Sequence, residues 1–178
     1  TIEGNDQSTK SGSIHANVLL YQSASGDAKE GTSVFTMIGG EMTSHSGAMF
    51  YCTNTSSVIN LNNAALNLSE DETLLIVSAG RWGKDGRNGG TCTLNAENQT
   101  LAGKISVDSI SALTLQLTGS SLTGNINSEG EAGTVRLAMD ADSRFTLTAD
   151  TYITGFEGDI SNVITNGYTL YVNGTAMN

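Results

Sequence analysis

One glycine-rich segment collects the residue types that could bind an anionic ligand. Residues 80–90 contain five glycines, the chain's single tryptophan and three of its eight lysines and arginines: Arg81, Trp82, Lys84 and Arg87. An indole ring can stack on a sugar, and an arginine can form two parallel hydrogen bonds with a uronate carboxylate. We therefore predict that these four residues bind an acidic glycan or a protein. The alternative is that Trp82 folds back onto neighbouring strands and that the cations pair with acids such as Asp85.

A pair of carboxylates could hold a metal ion. Asp108 and Glu129 lie 21 residues apart and each follows an isoleucine at the equivalent position. If successive coils stack at this spacing, the two residues lie about 4.8 Å apart. Stacked carboxylates repel unless a cation lies between them or one is protonated, and Ca²⁺ accepts oxygen ligands in flexible geometry. We predict a Ca²⁺ site at Asp108 and Glu129, with Glu97, Asp140 and Asp142 as a weaker cluster. The alternative is that these carboxylates decorate solvated corners.

Residues for catalysis are few. His15 and His45 are the only histidines, and no G-x-S-x-G elbow is present. A lyase would need a basic proton acceptor near its acids; Arg136 and Arg144 are available, but arginine is hard to deprotonate. Glycoside hydrolysis by paired carboxylates stays open, because the sequence does not give their separation.

The two cysteines, Cys52 and Cys92, occupy strand-like, inward positions. The favoured interpretation is two buried thiols that behave as small hydrophobic residues. A disulfide between neighbouring coils is the alternative, disfavoured because the register places the two cysteines on different faces. Their spacing is not that of a zinc site.

Apolar residues recur at the spacing of a β-solenoid coil. Strand-like alternation is centred on Ile59, Leu94, Leu115 and Leu137, at steps of 35, 21 and 22 residues. The long first step contains the insertion at 80–90. No short strand of this kind buries its apolar face alone, so stacking must bury it. A second apolar residue follows each of these four by 7, 7, 7 and 8 residues, which predicts a second row of the core: Leu66, Leu101, Leu122 and Phe145. The predicted core is Ile59, Leu61, Leu66, Leu94, Leu101, Leu115, Leu117, Leu122, Leu137, Met139 and Phe145.

Composition agrees with one nearly all-β domain. The 178 residues include 21 glycines and no proline, and the formal net charge is −10. Such a charge disfavours binding to nucleic acid or to anionic membranes, and no apolar run is long enough to span a bilayer. We predict a single domain over 1–178, with a lead-in or cap and first coil at 1–32, regular coils at 33–174 and the inserted loop at 80–90. The surface, rich in Ser, Thr and Asn, suggests an extracellular protein.

Three segments carry a resemblance to a known group: residues 47–55, 109–113 and 164–174. Together with the coil length, they make residues 34–174 similar to the right-handed parallel β-helix proteins secreted by clostridia, which are carbohydrate-binding or adhesin-like and belong to the pectate-lyase-like superfamily. The resemblance implies a right-handed parallel β-helix with coils of about 21–22 residues. It also implies a secreted or cell-surface bacterial protein that binds polysaccharide or a host or cell-surface partner without catalysis. The alternative is a polysaccharide lyase or glycoside hydrolase on the same fold. The superfamily's lyases combine a calcium-binding carboxylate cluster with a basic residue, and that full pattern is not found here.

Overall fold

The computed structural model describes residues 1–4, 14–22, 31–130 and 133–177, and the fold is all-β. The strands of the described residues form four sheets, and three of these sheets are entirely parallel. In the described ranges the helical content is one 3-10 turn at Ile160–Asn162, and no helix there could cross a membrane. Parallel strands that pair one repeat apart are consistent with the predicted β-solenoid. Residues 5–13 and 23–30 of the predicted lead-in lie outside the described ranges.

Sheet 3 contains the predicted rungs, which are the strand segments centred on Ile59, Leu94, Leu115 and Leu137. Its strands, in spatial order, are β16 (Gly155–Glu157), β13 (Thr134–Met139), β11 (Ala112–Thr118), β9 (Thr91–Glu97), β6 (Ser56–Asn62) and β3 (Thr32–Ile38). The register aligns Ile59 with Leu94. Leu115 then pairs with Leu94 on one side and with Leu137 on the other. The predicted alignment of these four positions is therefore confirmed.

Sheet 2 forms the opposite wall. Its strands are β17 (Val163–Ile164), β14 (Arg144–Leu147), β12 (Ser121–Ile126), β10 (Thr100–Val107), β8 (Thr73–Val77), β5 (Ala48–Thr53) and β2 (Ala16–Tyr21). Leu122 pairs with Leu101 and with Phe145, as the second row of the predicted core requires.

Leu66 does not belong to that row. It lies in sheet 1, which comprises β1 (Ile2–Gly4), β4 (Glu41–Ser44) and β7 (Ala65–Asn67), and it pairs with Met42. The early coils contain this additional strand between sheets 3 and 2, whereas the chain after β9 passes directly into β10. Equal sequence spacing therefore placed Leu66 in the wrong sheet, and its side chain is only half-buried.

The inward rows of sheets 2 and 3 meet in one apolar cluster. Phe35 of β3 packs edge-on against Phe50 of β5, with ring centroids 5.6 Å apart. Every residue of the predicted core except Leu66 is buried in this cluster. Since burial of apolar area is the main stabilising term in folding, the shared interior explains how short strands form a stable stack.

The corner that follows the strands of sheet 3 repeats the same turn in successive coils. Asn63, Asn98 and Gly119 there have left-handed φ values of 51°, 48° and 54°, which asparagine and glycine adopt at low cost. A ladder of buried polar residues stacks beside them. The Ser120 hydroxyl accepts from the Gln99 backbone N–H at 2.9 Å, and the Ser143 hydroxyl accepts from the Ser120 N–H at 3.0 Å.

Sheet 4 lies at the C-terminal end and comprises β15 (Thr151–Ile153), β18 (Leu170–Val172) and β19 (Thr175–Met177). Tyr152 and Tyr171 stack nearly parallel across β15 and β18, with centroids 4.6 Å apart. The last strand, β19, pairs antiparallel with β18. This hairpin reverses the strand direction, so the parallel pairing of sheet 4 ends there.

Candidate functional site

The glycine-rich insertion joins the end of β8 to the start of β9 and is tied to the coil below. The backbone N–H of Asn54 donates to the Asn88 carbonyl at 3.1 Å, and the Asn88 side chain donates to the Gly80 carbonyl at 2.7 Å. Asn88 is buried, whereas Arg81, Lys84 and Arg87 are exposed. The loop therefore has a fixed root and presents its cations to solvent.

Trp82 folds back onto the first strand of sheet 2. Its ring lies against Tyr21, the last residue of β2, with centroids 4.4 Å apart and planes inclined by 30°. The Arg81 guanidinium carbon lies 4.6 Å from the Trp82 ring centroid, within the range of a cation–π interaction. Trp82 is half-buried. Trp82 therefore folds back onto neighbouring strands, as the alternative predicted. The Tyr21 side chain beside it is 43% exposed.

The other part of the alternative is that the loop cations pair with neighbouring acids. Among the described residues, no ion pair joins Arg81, Lys84 or Arg87 to a carboxylate, Asp85 included. We call residues 80–90 together with Tyr21 the loop corner. It combines two aromatic rings with three exposed cations and one acid, Asp85, so its formal charge of +2 (three cations less one acid) is opposite in sign to the net charge of −10 of the chain.

Two tyrosines of this region were not identified from the sequence. Tyr21 contacts Trp82, and the Tyr51 hydroxyl bonds the Ser78 hydroxyl at 2.6 Å and donates to the Ala79 carbonyl at 3.2 Å. Both tyrosines alternate with buried neighbours, Leu20 and Cys52, so strand alternation would have placed them on the outer face of sheet 2. Nothing in the sequence shows that the insertion turns toward that face.

Asp108 and Glu129 line one shallow groove, together with Ser78, Ser106 and Asn127. The groove has a volume near 280 Å³. One Asp108 oxygen accepts from the Ala79 backbone N–H at 2.7 Å and the other from the Ile110 N–H at 3.3 Å. Glu129 is exposed. The 21-residue spacing thus brings the two carboxylates to one groove, and the Asp108 carboxylate also ties the start of the loop to the next coil. In the described parts of the chain, no group of three or more acidic, histidine or cysteine side chains is arranged so that it could hold a metal ion, and a Ca²⁺ ion at this pair stays a prediction.

Asp140, from the weaker cluster, caps a corner. Its carboxylate accepts from the Gly119 backbone N–H at 2.9 and 3.1 Å and from the Ser143 hydroxyl at 2.6 Å. These bonds, that of Ser143 first, lower the pKa of the Asp140 carboxyl below its ordinary value. Asp140 therefore stabilises the turn that leads into β12.

A larger groove was not anticipated. About 640 Å³ lies between residues 66–72 and the outer face of sheet 2, bordered by Lys104, Asn125 and Thr148. Gly103 and Gly124 form part of its lining, and a Cβ on Gly124 would lie 2.0 Å from the Gly103 carbonyl oxygen. Lys104 Nζ donates to the Asp71 carbonyl at 3.3 Å, which joins the two sides of the groove.

One of the two histidines considered for catalysis, His45, lies beside an acidic residue. His45 Nε2 lies 3.7 Å from a Glu3 carboxylate oxygen, and both side chains are more than half exposed. None of the protein-family models, curated proteins or solved structures compared with this chain matches it.

Proposed function

We propose that this chain is a noncatalytic, secreted or cell-surface bacterial protein, a right-handed parallel β-helix that binds an acidic polysaccharide at the loop corner. The observation that carries the proposal is the placement of Arg81, Lys84 and Arg87 in solvent beside the Trp82–Tyr21 pair. The resemblance to clostridial β-helix proteins supports the same assignment and a role as an adhesin.

The chemistry of the corner favours a uronate-containing chain. Exposed guanidinium groups bind carboxylates through paired hydrogen bonds, and the remaining exposed ring surface of Tyr21 can contact an apolar sugar face. An acidic protein would repel an acidic glycan elsewhere, so a local positive patch would select where the glycan binds. A Ca²⁺ ion at Asp108 and Glu129, in the groove next to the loop's first residues, would reduce the negative charge nearby.

Binding to polygalacturonate tests the proposal. Titration calorimetry should give an affinity that falls as salt is raised, because exposed charge pairs are screened. The double change Arg81→Gln and Arg87→Gln should weaken binding about 2- to 30-fold, which corresponds to two exposed charge pairs of modest strength. Fluorescence gives a second readout, since Trp82 is the single tryptophan.

Arg136→Gln is the matched control for each single change, Arg81→Gln or Arg87→Gln, because it also removes one exposed arginine, here on the outer face of β13 in a different sheet. Equal weakening by this variant would indicate only non-specific charge attraction. Unchanged affinity in both the Arg81/Arg87 variant and Trp82→Ala would exclude the loop corner. Release of ultraviolet-absorbing unsaturated product or of new reducing ends would contradict the noncatalytic assignment and support a lyase or hydrolase.

A further inference from the structure

The two cysteines meet inside the solenoid. Cys52 lies on β5 of sheet 2 and Cys92 on β9 of sheet 3, and their side chains are 0% and 1% exposed. A hydrogen bond joins the two Sγ atoms at 3.5 Å. The expectation that they occupy different faces is therefore correct, but those faces are opposite walls of one narrow interior.

The pair spans two successive coils. Cys52 pairs in register with Val77 of the next coil, whereas Cys92 pairs with Ser57, which follows Cys52 in its own coil. A covalent bond between the sulfurs would therefore join one coil diagonally to the next. Forming it requires the Sγ atoms to approach by about 1.5 Å, to the usual S–S length near 2.05 Å.

The surroundings distinguish the two thiols. The hydrogen bond between the two thiols lowers the pKa of Cys52, whereas the same hydrogen bond and burial raise the pKa of Cys92. The two thiols therefore ionise as a pair, in which the thiolate of one sulfur is stabilised by the remaining proton of the other. Because the thiolate is the nucleophile in disulfide exchange, the sulfur that ionises first attacks, and the same steps hold with the two cysteines exchanged.

We propose that Cys52 and Cys92 form a modification site, at which a small-molecule disulfide oxidises the two thiols to an internal disulfide. The Cys52 thiolate attacks the reagent, forms a mixed disulfide and releases one reagent thiolate. Cys92 then loses its proton and attacks the Cys52 sulfur, which releases the second reagent thiolate. The protein loses two protons and two electrons, and the reagent gains the electrons as two thiols.

The bond would add a covalent constraint to the hydrogen bonds that hold the root of the loop. Asn54, two residues after Cys52, donates its N–H to Asn88, and the Cys52 carbonyl accepts from the Ser78 N–H at 3.1 Å. The insertion lies within the 40-residue separation of the two cysteines, so the disulfide would close a covalent ring around it. This consequence concerns the geometry of the loop and does not depend on what the loop binds.

Equilibration with oxidised glutathione tests the proposal. The wild-type protein is treated once in its folded state and once during refolding from denaturant, since both thiols are buried and native oxidation should be slow. Thiols are then counted after denaturation, and intact mass distinguishes the internal disulfide from glutathione adducts. We expect both thiols to disappear without an adduct, and the Tm to rise by about 5–15 °C. Dithiothreitol should reverse both changes.

Two variants serve as controls. Cys92→Ala should keep one titratable thiol or carry one glutathione, and the double variant Cys52→Ala/Cys92→Ala should show a Tm that does not respond to oxidant. Persistence of both wild-type thiols after refolding in oxidant, or a stable glutathione adduct on each, would overturn the proposal. Thiol counting and mass need only the wild-type chain, so they decide the matter even if a variant fails to fold.

Discussion

Replacing Leu115 with alanine measures how much one rung contributes to the solenoid. Leu115 is fully buried in sheet 3, and its register partners Leu94 and Leu137 are at most 1% exposed. Both partners lie on strands held by parallel hydrogen-bond ladders, so the wall cannot readily collapse into the space left by the removed atoms. Truncation of a buried leucine in such surroundings costs the transfer free energy and a cavity term, and we expect a loss of about 3–5 kcal/mol.

Leu66→Ala is the matched comparison, because the chemistry of the change is identical. Leu66 is half-buried on sheet 1 and borders the larger groove, the one of about 640 Å³ that Lys104 also lines. Its removal leaves no enclosed cavity, so only part of the transfer free energy is lost, about 1 kcal/mol. Leu115→Met keeps the volume of the rung and should cost less than about 1.5 kcal/mol.

Urea unfolding followed by circular dichroism gives these free energies, and tryptophan fluorescence provides a local probe at the loop. Two probes are needed because coils of a solenoid can unfold separately. The Tm of Leu115→Ala should fall by about 6–20 °C for a chain of this size. If Leu115→Ala costs no more than Leu66→Ala, the stacked rows do not carry the stability assigned to them.

The remaining predictions concern carboxylates. Asp140→Asn should lower the Tm at neutral pH, because the variant replaces a carboxylate that accepts three hydrogen bonds. The folded pKa of Asp140 is depressed, so its contribution is present above the unfolded pKa of about 3.9 and is lost as the pH falls through the folded value. The Tm difference between variant and wild type should therefore shrink in acid, and a difference that stays constant with pH would contradict this role. If Asp108 and Glu129 bind Ca²⁺, calcium should raise the wild-type Tm relative to chelator, and the shift should vanish in Glu129→Gln; an unchanged wild-type Tm argues against the ion.

The rows of the core could be predicted from the sequence because the alternation of apolar and polar residues in a strand allows only one register. When one face is buried, a shift by one residue would turn every apolar side chain outward. Ile59, Leu94, Leu115 and Leu137 therefore align as their spacing requires. The same reasoning fails for Leu66, because equal spacing in the sequence does not reveal the additional strand β7.

Distances across the interior could not be predicted. Alternation predicts that the side chains of Cys52 and Cys92 point inward from two different sheets, but the distance between those sheets depends on how both of them close around the core. The large groove is similar: it requires that Gly103 and Gly124 let backbone segments approach closely. A glycine in a strand indicates such an approach without naming the segment that makes it.

The packing of Trp82 changes which residues should determine specificity at the loop corner. Because its ring already contacts Tyr21 and lies under the Arg81 guanidinium, much of the stacking surface that a sugar would use is occupied. The contact with Arg81 contributes about 0.5–1 kcal/mol at an exposed site, and it restrains a side chain that would otherwise sample many rotamers. A restrained guanidinium loses less entropy when it pairs with a carboxylate. Trp82 would therefore act mainly by orienting Arg81, and the arginines, rather than the indole, would distinguish an acidic glycan from a neutral one.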